Sequence, residues 1–97
     1  MNMQAMLKQA QNMQKDMMKA QEEVGKMTFN ATKDLVTVEV NGNRKVTKVT
    51  LSKGIDVDDI EMLEDMILVA VNEANKKVDE MTEKKLGKYS NMMPGMF

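Results

Sequence analysis

Histidine and cysteine are both absent from this chain. That removes the usual general base near neutral pH, the commonest metal ligand and all thiolate chemistry. No nucleophile elbow, phosphate-cradling glycine loop or pocketed carboxylate pair is recognisable, so neither catalysis nor a small-molecule substrate is expected. What remains is charge, with 14 basic against 15 acidic residues and a net −1. Asp56, Asp58 and Asp59 have the spacing of a metal loop or of a helix start. No complete calcium-loop pattern surrounds them, and Asp56 with Asp59 resembles a capping box, so helix capping is the expected role and no metal or cofactor is anticipated. The bases fall into groups: Lys8, Lys15 and Lys19; Arg44, Lys45 and Lys48; Lys76 and Lys77; Lys84, Lys85 and Lys88. A near-neutral chain lacks the footprint of a basic domain, so any use of these charges requires their segregation onto one face. Lys8 and Lys15 lie a heptad apart and share a line that Glu22 ends. The alternative is plain solvation of exposed helix faces, with Glu80 and Lys84 as an i,i+4 pair.

The stretch that must position these groups runs from Leu35 to Leu51. Val36, Val38 and Val40 alternate with Thr37 and Glu39, as in a strand with one buried face. Asn41-Gly42 signals a turn, and Val46 to Leu51 reads as the return strand. An even loop keeps Val49 and Leu51 on the face of Val36, Val38 and Val40. A four-residue loop, Asn41 to Arg44, places Val36 opposite Val49. Met27, Phe29 and Ala31 suit a short first strand, with Thr32-Lys33-Asp34 as the turn between.

Helices flank this meander. Met3, Met6, Ala10, Met13, Met17, Ala20 and Val24 form an a/d stripe over about 22 residues, a rod of roughly 33 Å that exceeds the sheet, with Gly25 placed to stop it. The stripe suits core or dimer packing, while its methionines would also adapt to varied partner helices. A second helix is expected from Asp56 to the residues before Gly87. Ile60, Leu63, Ile67, Val71, Ala74, Val78 and Met81 mark one face, and Met62, Met66 and Val69 add an apolar flank. Such all-round apolarity suggests that one side covers the sheet while another meets a second copy, through Met62, Met66, Ile67, Val69 and Ala70.

At 97 residues with thirteen methionines and only three aromatic residues, the chain suits one small domain with a thioether-rich core, for which partner subunits are a common remedy. Residues 1–88 read as that domain, and 89–97, containing Pro94-Gly95, as a flexible tail with an apolar end able to dock or stay free. Neither a signal peptide nor an apolar run of membrane-spanning length is visible, so the expected location is the cytoplasm.

Four strings, MNMQAMLKQAQNMQ, VEVNGN, EMLEDMILVAVNEA and PGMF, together with the order helix, meander, long helix, resemble the YbaB/EbfC family of bacterial nucleoid-associated proteins. The resemblance spans nearly the whole chain. It implies an α+β fold, with a long N-terminal helix, a three-stranded antiparallel β-meander and a long C-terminal helix, in an intertwined or side-by-side homodimer. It further implies low-specificity binding of double-stranded DNA, mostly through the backbone, a nucleoid location and an influence on gene regulation. On that reading the basic groups of the chain are, as a set, the expected phosphate contacts: Lys8, Lys15, Lys19, Arg44, Lys76, Lys77, Lys84, Lys85 and Lys88. Aromatics do not interleave with these bases, which disfavours base stacking, and Gln4, Gln11, Asn12 and Gln14 read as polar filler. The reading from another class is a dimeric adaptor or chaperone-like module that uses the Met-rich helix face.

Overall fold

A computed structural model of the chain describes residues 2–90. The elements in order are α1 (Met3–Lys26), β1 (Thr28–Lys33), β2 (Val36–Asn41), β3 (Val46–Leu51) and α2 (Ile60–Ser90). The strands form one antiparallel sheet in the order β1-β2-β3. This is the α+β architecture expected from the sequence.

Alternation on the central strand works as anticipated. Val36, Val38 and Val40 are fully buried, and Ala31 joins them from β1. Each buried valine contributes about 1.5–2 kcal/mol by removal from water. The covering layer is α2, whose Met66, Ala70, Ala74 and Val78 complete the core. The opposite sheet face is polar, with the Thr32 and Thr37 hydroxyls hydrogen-bonded at 2.9 Å across the β1–β2 pair.

The register differs from expectation. Val36 faces Leu51 and Val38 faces Val49, a slip of two residues that preserves the shared face. Beyond them Glu39 pairs with Lys48 but Val40 pairs with Val46, so a bulge leaves Thr47 as the extra residue. Asn41 organises the turn that follows: its side-chain oxygen accepts from the Asn43 and Lys45 amides at 2.9 and 3.1 Å. The residue that takes positive φ there is Arg44, at 66°. Gly42 serves another purpose. It lies against the last turn of α1, donates its amide to the Met27 carbonyl at 3.1 Å, and has no room for a Cβ.

The first turn is also shorter than expected. β1 continues through Lys33, which pairs with Val36, and Asp34 turns the chain at φ 53°. Both helices outrun their expected stops. α1 continues past Gly25 to Lys26, and α2 passes Gly87 to reach Ser90. Tyr89, read as the first tail residue, is therefore helical and buried. The rest of the tail, residues 91–97, lies outside the described residues. At its start, α2 begins four residues later than anticipated. Asp59 caps it by accepting from the Met62 amide at 3.2 Å, while Asp56 accepts from the Asp58 amide in the preceding turn.

The buried line along α2 runs in steps of four, Met66, Ala70, Ala74, Val78 and then Leu86, so it winds from the sheet onto α1. Consequently Met66 and Ala70, expected to face a partner, belong to the chain's own core. A second cluster forms where Met17 of α1 meets Leu86 and Tyr89, flanked by Met13 and Ala20. The helices here run antiparallel as an arm beyond the sheet. The radius of gyration is 19.0 Å, against about 12 Å for a compact domain of this length, and the longest dimension is 68 Å.

Candidate nucleic-acid interface

The arm is where the bases collect. α1 starts cleanly because the Asn2 side chain caps it, accepting from the Gln4 amide at 2.9 Å. Its buried edge is set by Met17 and Val24. At 100° per residue, Lys8, Lys15 and Lys19 stand about 160–180° around the helix from Met17. All are exposed. Lys26 extends the row by one more heptad from Lys19, although Glu22 holds it in an ion pair at 3.1 Å. Its spacing made it findable from the sequence, where only Lys8 and Lys15 were seen to align.

On α2 the bases do not form one set. Lys77, Lys84 and Lys88 fall within about 40° of one another around the helix, whereas Lys76 and Lys85 point elsewhere. Lys77 donates to the backbone carbonyl of Asn30 on β1, which ties it to the sheet edge. Lys84 stands beside it along a shallow groove that also includes Phe29, Glu80 and Met81. Lys88 lies over the Tyr89 ring, 5.2 Å from its centre.

Arg44 is engaged as well. Its guanidinium pairs with the Asp79 carboxylate, joining the β2–β3 turn to α2. The pair lines an open groove of about 670 Å³ that also holds Glu83. Lys88 lines it too, so two bases are matched by two carboxylates and the groove offers a phosphate no net positive charge. Lys48, opposite Glu39 in the register, belongs to the sheet's polar face. The row best suited to a polyanion is thus the outer side of α1.

No group of His, Cys, Asp and Glu able to hold a metal ion occurs among the described residues, and none of their helices is long and apolar enough to cross a membrane. Asp56, Asp58 and Asp59 serve the turn and the helix cap.

Of the residues read as a self-association face, Met62 is exposed and Ile67 and Val69 are half-buried, while Met66 and Ala70 are core. A different apolar face lies open. Because α2 sits over β1 and β2, the inward-pointing residues of β3, namely Val46, Val49 and Leu51, remain 43–48% exposed. Their alternation was legible in the sequence. Their lack of cover was not.

Comparison with known proteins agrees with this architecture. The crystal structure of uncharacterized protein HP0035 from Helicobacter pylori superposes with a TM-score of 0.70 at 21% identity, over 96% of this chain and 98% of that one. At that identity the likeness shows a shared fold. Sequence relatives are nearer. A nucleoid-associated protein of Ligilactobacillus salivarius is 43% identical over 99 residues, covering 99% of this chain and 95% of its own length. Another from Lactococcus lactis subsp. cremoris is 44% identical over 97% of this chain and 98% of its own. The family model matching residues 1–93 is that of the YbaB/EbfC DNA-binding family. On this whole-length match, the chain belongs to the YbaB/EbfC DNA-binding family.

Proposed function

We propose that this protein is a homodimer that binds double-stranded DNA through its phosphate backbone, with little sequence preference, as a nucleoid component of the bacterial cytoplasm. The observation that carries this reading is the exposed row Lys8, Lys15 and Lys19, opposite the buried edge of a helix projecting beyond the sheet. Ammonium groups on long stems reach phosphates at varied spacing, and each phosphate neutralised releases condensed counterions. Such contacts give affinity but carry no base information. Lys84, Lys85 and Lys88 add positive charge on the other helix of the arm, near the level where Leu86 and Tyr89 meet Met17. Arg44 and Lys77, held by Asp79 and Asn30, contribute less than the sequence suggested. Compaction of the nucleoid and an influence on transcription would follow from such coating of DNA.

The dimer reading rests on the open face. Val46, Val49 and Leu51 are each at least 43% exposed, which leaves on the order of 200 Å² of apolar surface, about a quarter of what each partner gives a standard interface. A polar rim supplies the rest. Two copies paired through this face would set their arms apart on either side of a shared body, and two lysine rows would engage one duplex.

A second reading is favoured by the start of α1. Met3, Met6 and Leu7 are 76%, 48% and 61% exposed, a surface on which an adaptor would hold a partner helix. Mutagenesis separates the two. Lys15→Gln with Lys19→Gln should weaken duplex binding at least tenfold for unrelated sequences alike, read by fluorescence anisotropy. Unchanged binding would refute the role of this row. Loss of protein-partner binding in Met3→Ser with Leu7→Ser, without loss of DNA binding, would support the adaptor reading instead.

A further inference from the structure

The apolar stripe of α1 is longer than the stretch of α2 that covers it. At 100° per residue, Met3, Met6, Ala10 and Met13 all fall within about 40° of Met17, so they share the face that α2 packs against. Cover stops part-way along that face. Met17 is buried and Met13 half-buried against Leu86 and Tyr89. Ala10 is exposed, and Met6 and Met3 are 48% and 76% exposed, with Leu7 on their flank at 61%. α2 runs toward the start of α1 and ends at Ser90, directly after Tyr89. The bare half of the stripe therefore begins where α2 stops.

We infer that residues 91–97 of the same chain dock along this bare half, packing on Ala10, Met6 and Met3. Met92, Met93, Met96 and Phe97 are apolar, and none of the seven residues is charged, which suits a face of methionine and alanine. Thioethers on both sides adapt to an irregular fit. Pro94 lacks an amide and disfavours helix at the residue before it, so the docked segment runs extended. Seven residues at 3.1 Å each span roughly 22 Å, and α1 rises only about 15 Å from Met13 to Met3. Met93, roughly 12 Å beyond Tyr89 at that spacing, comes level with Met6. Lys8, Lys15 and Lys19 stand on the opposite side of α1, so docking leaves them accessible while holding the turn that carries Lys8. The adaptor reading would give this face to a partner helix. The chain's own segment takes it instead, whether or not the protein is a dimer.

Amide hydrogen exchange on the full chain tests this, comparing wild type with the double variant Met96→Ser, Phe97→Ser. Neither residue belongs to the two buried clusters, so the fold should persist. Amides of residues 7–12 should exchange at least tenfold faster in the variant, while those of residues 13–26 and of the sheet stay within about twofold of wild type. Equal exchange at residues 7–12 in the two proteins, or acceleration shared by all of α1, would overturn the inference. Because the chain has no cysteine, an introduced pair reports whose segment is seated there. Met6→Cys with Met93→Cys should close a disulfide within one chain at least tenfold faster than Lys8→Cys with Met93→Cys, whose first cysteine lies on the far side of α1. Equal rates would mean that the segment is not seated, and bonds formed only between chains would give the face to a second copy. Either result overturns the inference.

Discussion

Replacing Gly42 with alanine probes the contact that joins the sheet to the arm. A Cβ at this position would stand 1.7 Å from the Val24 carbonyl oxygen, 2.4 Å from its carbon and 2.8 Å from the Gly25 Cα. All three are backbone atoms, so no side-chain rotation relieves the overlap. The turn must retreat from α1, and the bond from the Gly42 amide to the Met27 carbonyl at 3.1 Å is lost or stretched. Overpacking of this kind costs about 1–3 kcal/mol, and the hydrogen bond roughly another 1. A loss on the order of 3 kcal/mol corresponds to a fall in Tm of roughly 15 °C for a chain of this size. Thermal unfolding by circular dichroism at fixed protein concentration measures it, with Gly87→Ala as the contrast. There the nearest atom is Glu83 Cγ at 3.5 Å, and an alanine inside a helix gains up to about 1 kcal/mol. A Gly42→Ala protein melting within a few degrees of wild type would refute the close approach. A destabilised Gly87→Ala would refute a continuous α2.

Other perturbations separate neighbouring interpretations. Asp59→Ala should cost about 1 kcal/mol in urea unfolding, as loss of a helix cap does, and Asp56→Ala clearly less; equal effects would mean that the cap is misassigned. Val49→Glu places a charge on the uncovered β3 face, where Val49 is 48% exposed. The single chain should fold normally while the dimer Kd rises more than a hundredfold by sedimentation, and an unchanged Kd would exclude that face. Arg44→Ala breaks an exposed ion pair with Asp79, so unfolding should shift by no more than about 1 kcal/mol. DNA affinity should fall less than in the Lys15 and Lys19 variant, and a larger fall would return Arg44 to the interface.

The sequence made the faces legible more readily than the registers. Alternation of Val36, Val38 and Val40 with Val49 and Leu51 specifies which side is buried, and both the four-residue loop and the observed arrangement satisfy it. A slip of two residues leaves that pattern unchanged, so only the turn's hydrogen bonds and the bulge before Val40 decide the matter. Asn41-Gly42 was a true turn signal with a different physical basis, since Gly42 is required by a helix 17 or more residues earlier in the chain. On α2, a nearly all-apolar stretch from Met66 to Val71 offers several rows of similar hydrophobicity. The chosen row steps by four because α2 leaves the sheet to pack on α1, and that demand comes from distant residues. Pairings such as Arg44 with Asp79 and Lys77 with Asn30 are equally non-local. Lysine spacing on α1, being local, was readable in part.

In the proposed function, lysines on the projecting helix hold the duplex by its phosphates. Fluorescence anisotropy of labelled duplexes of unrelated sequence, titrated across a salt series, tests it most directly. Three lysines from each of two protomers would neutralise roughly six phosphates, giving a slope of log affinity against log salt near −5. The same slope should appear for every sequence, and it should shrink toward about −2 when Lys15 and Lys19 are both replaced by glutamine. A slope near zero, or one that the double replacement leaves unchanged, would contradict the account.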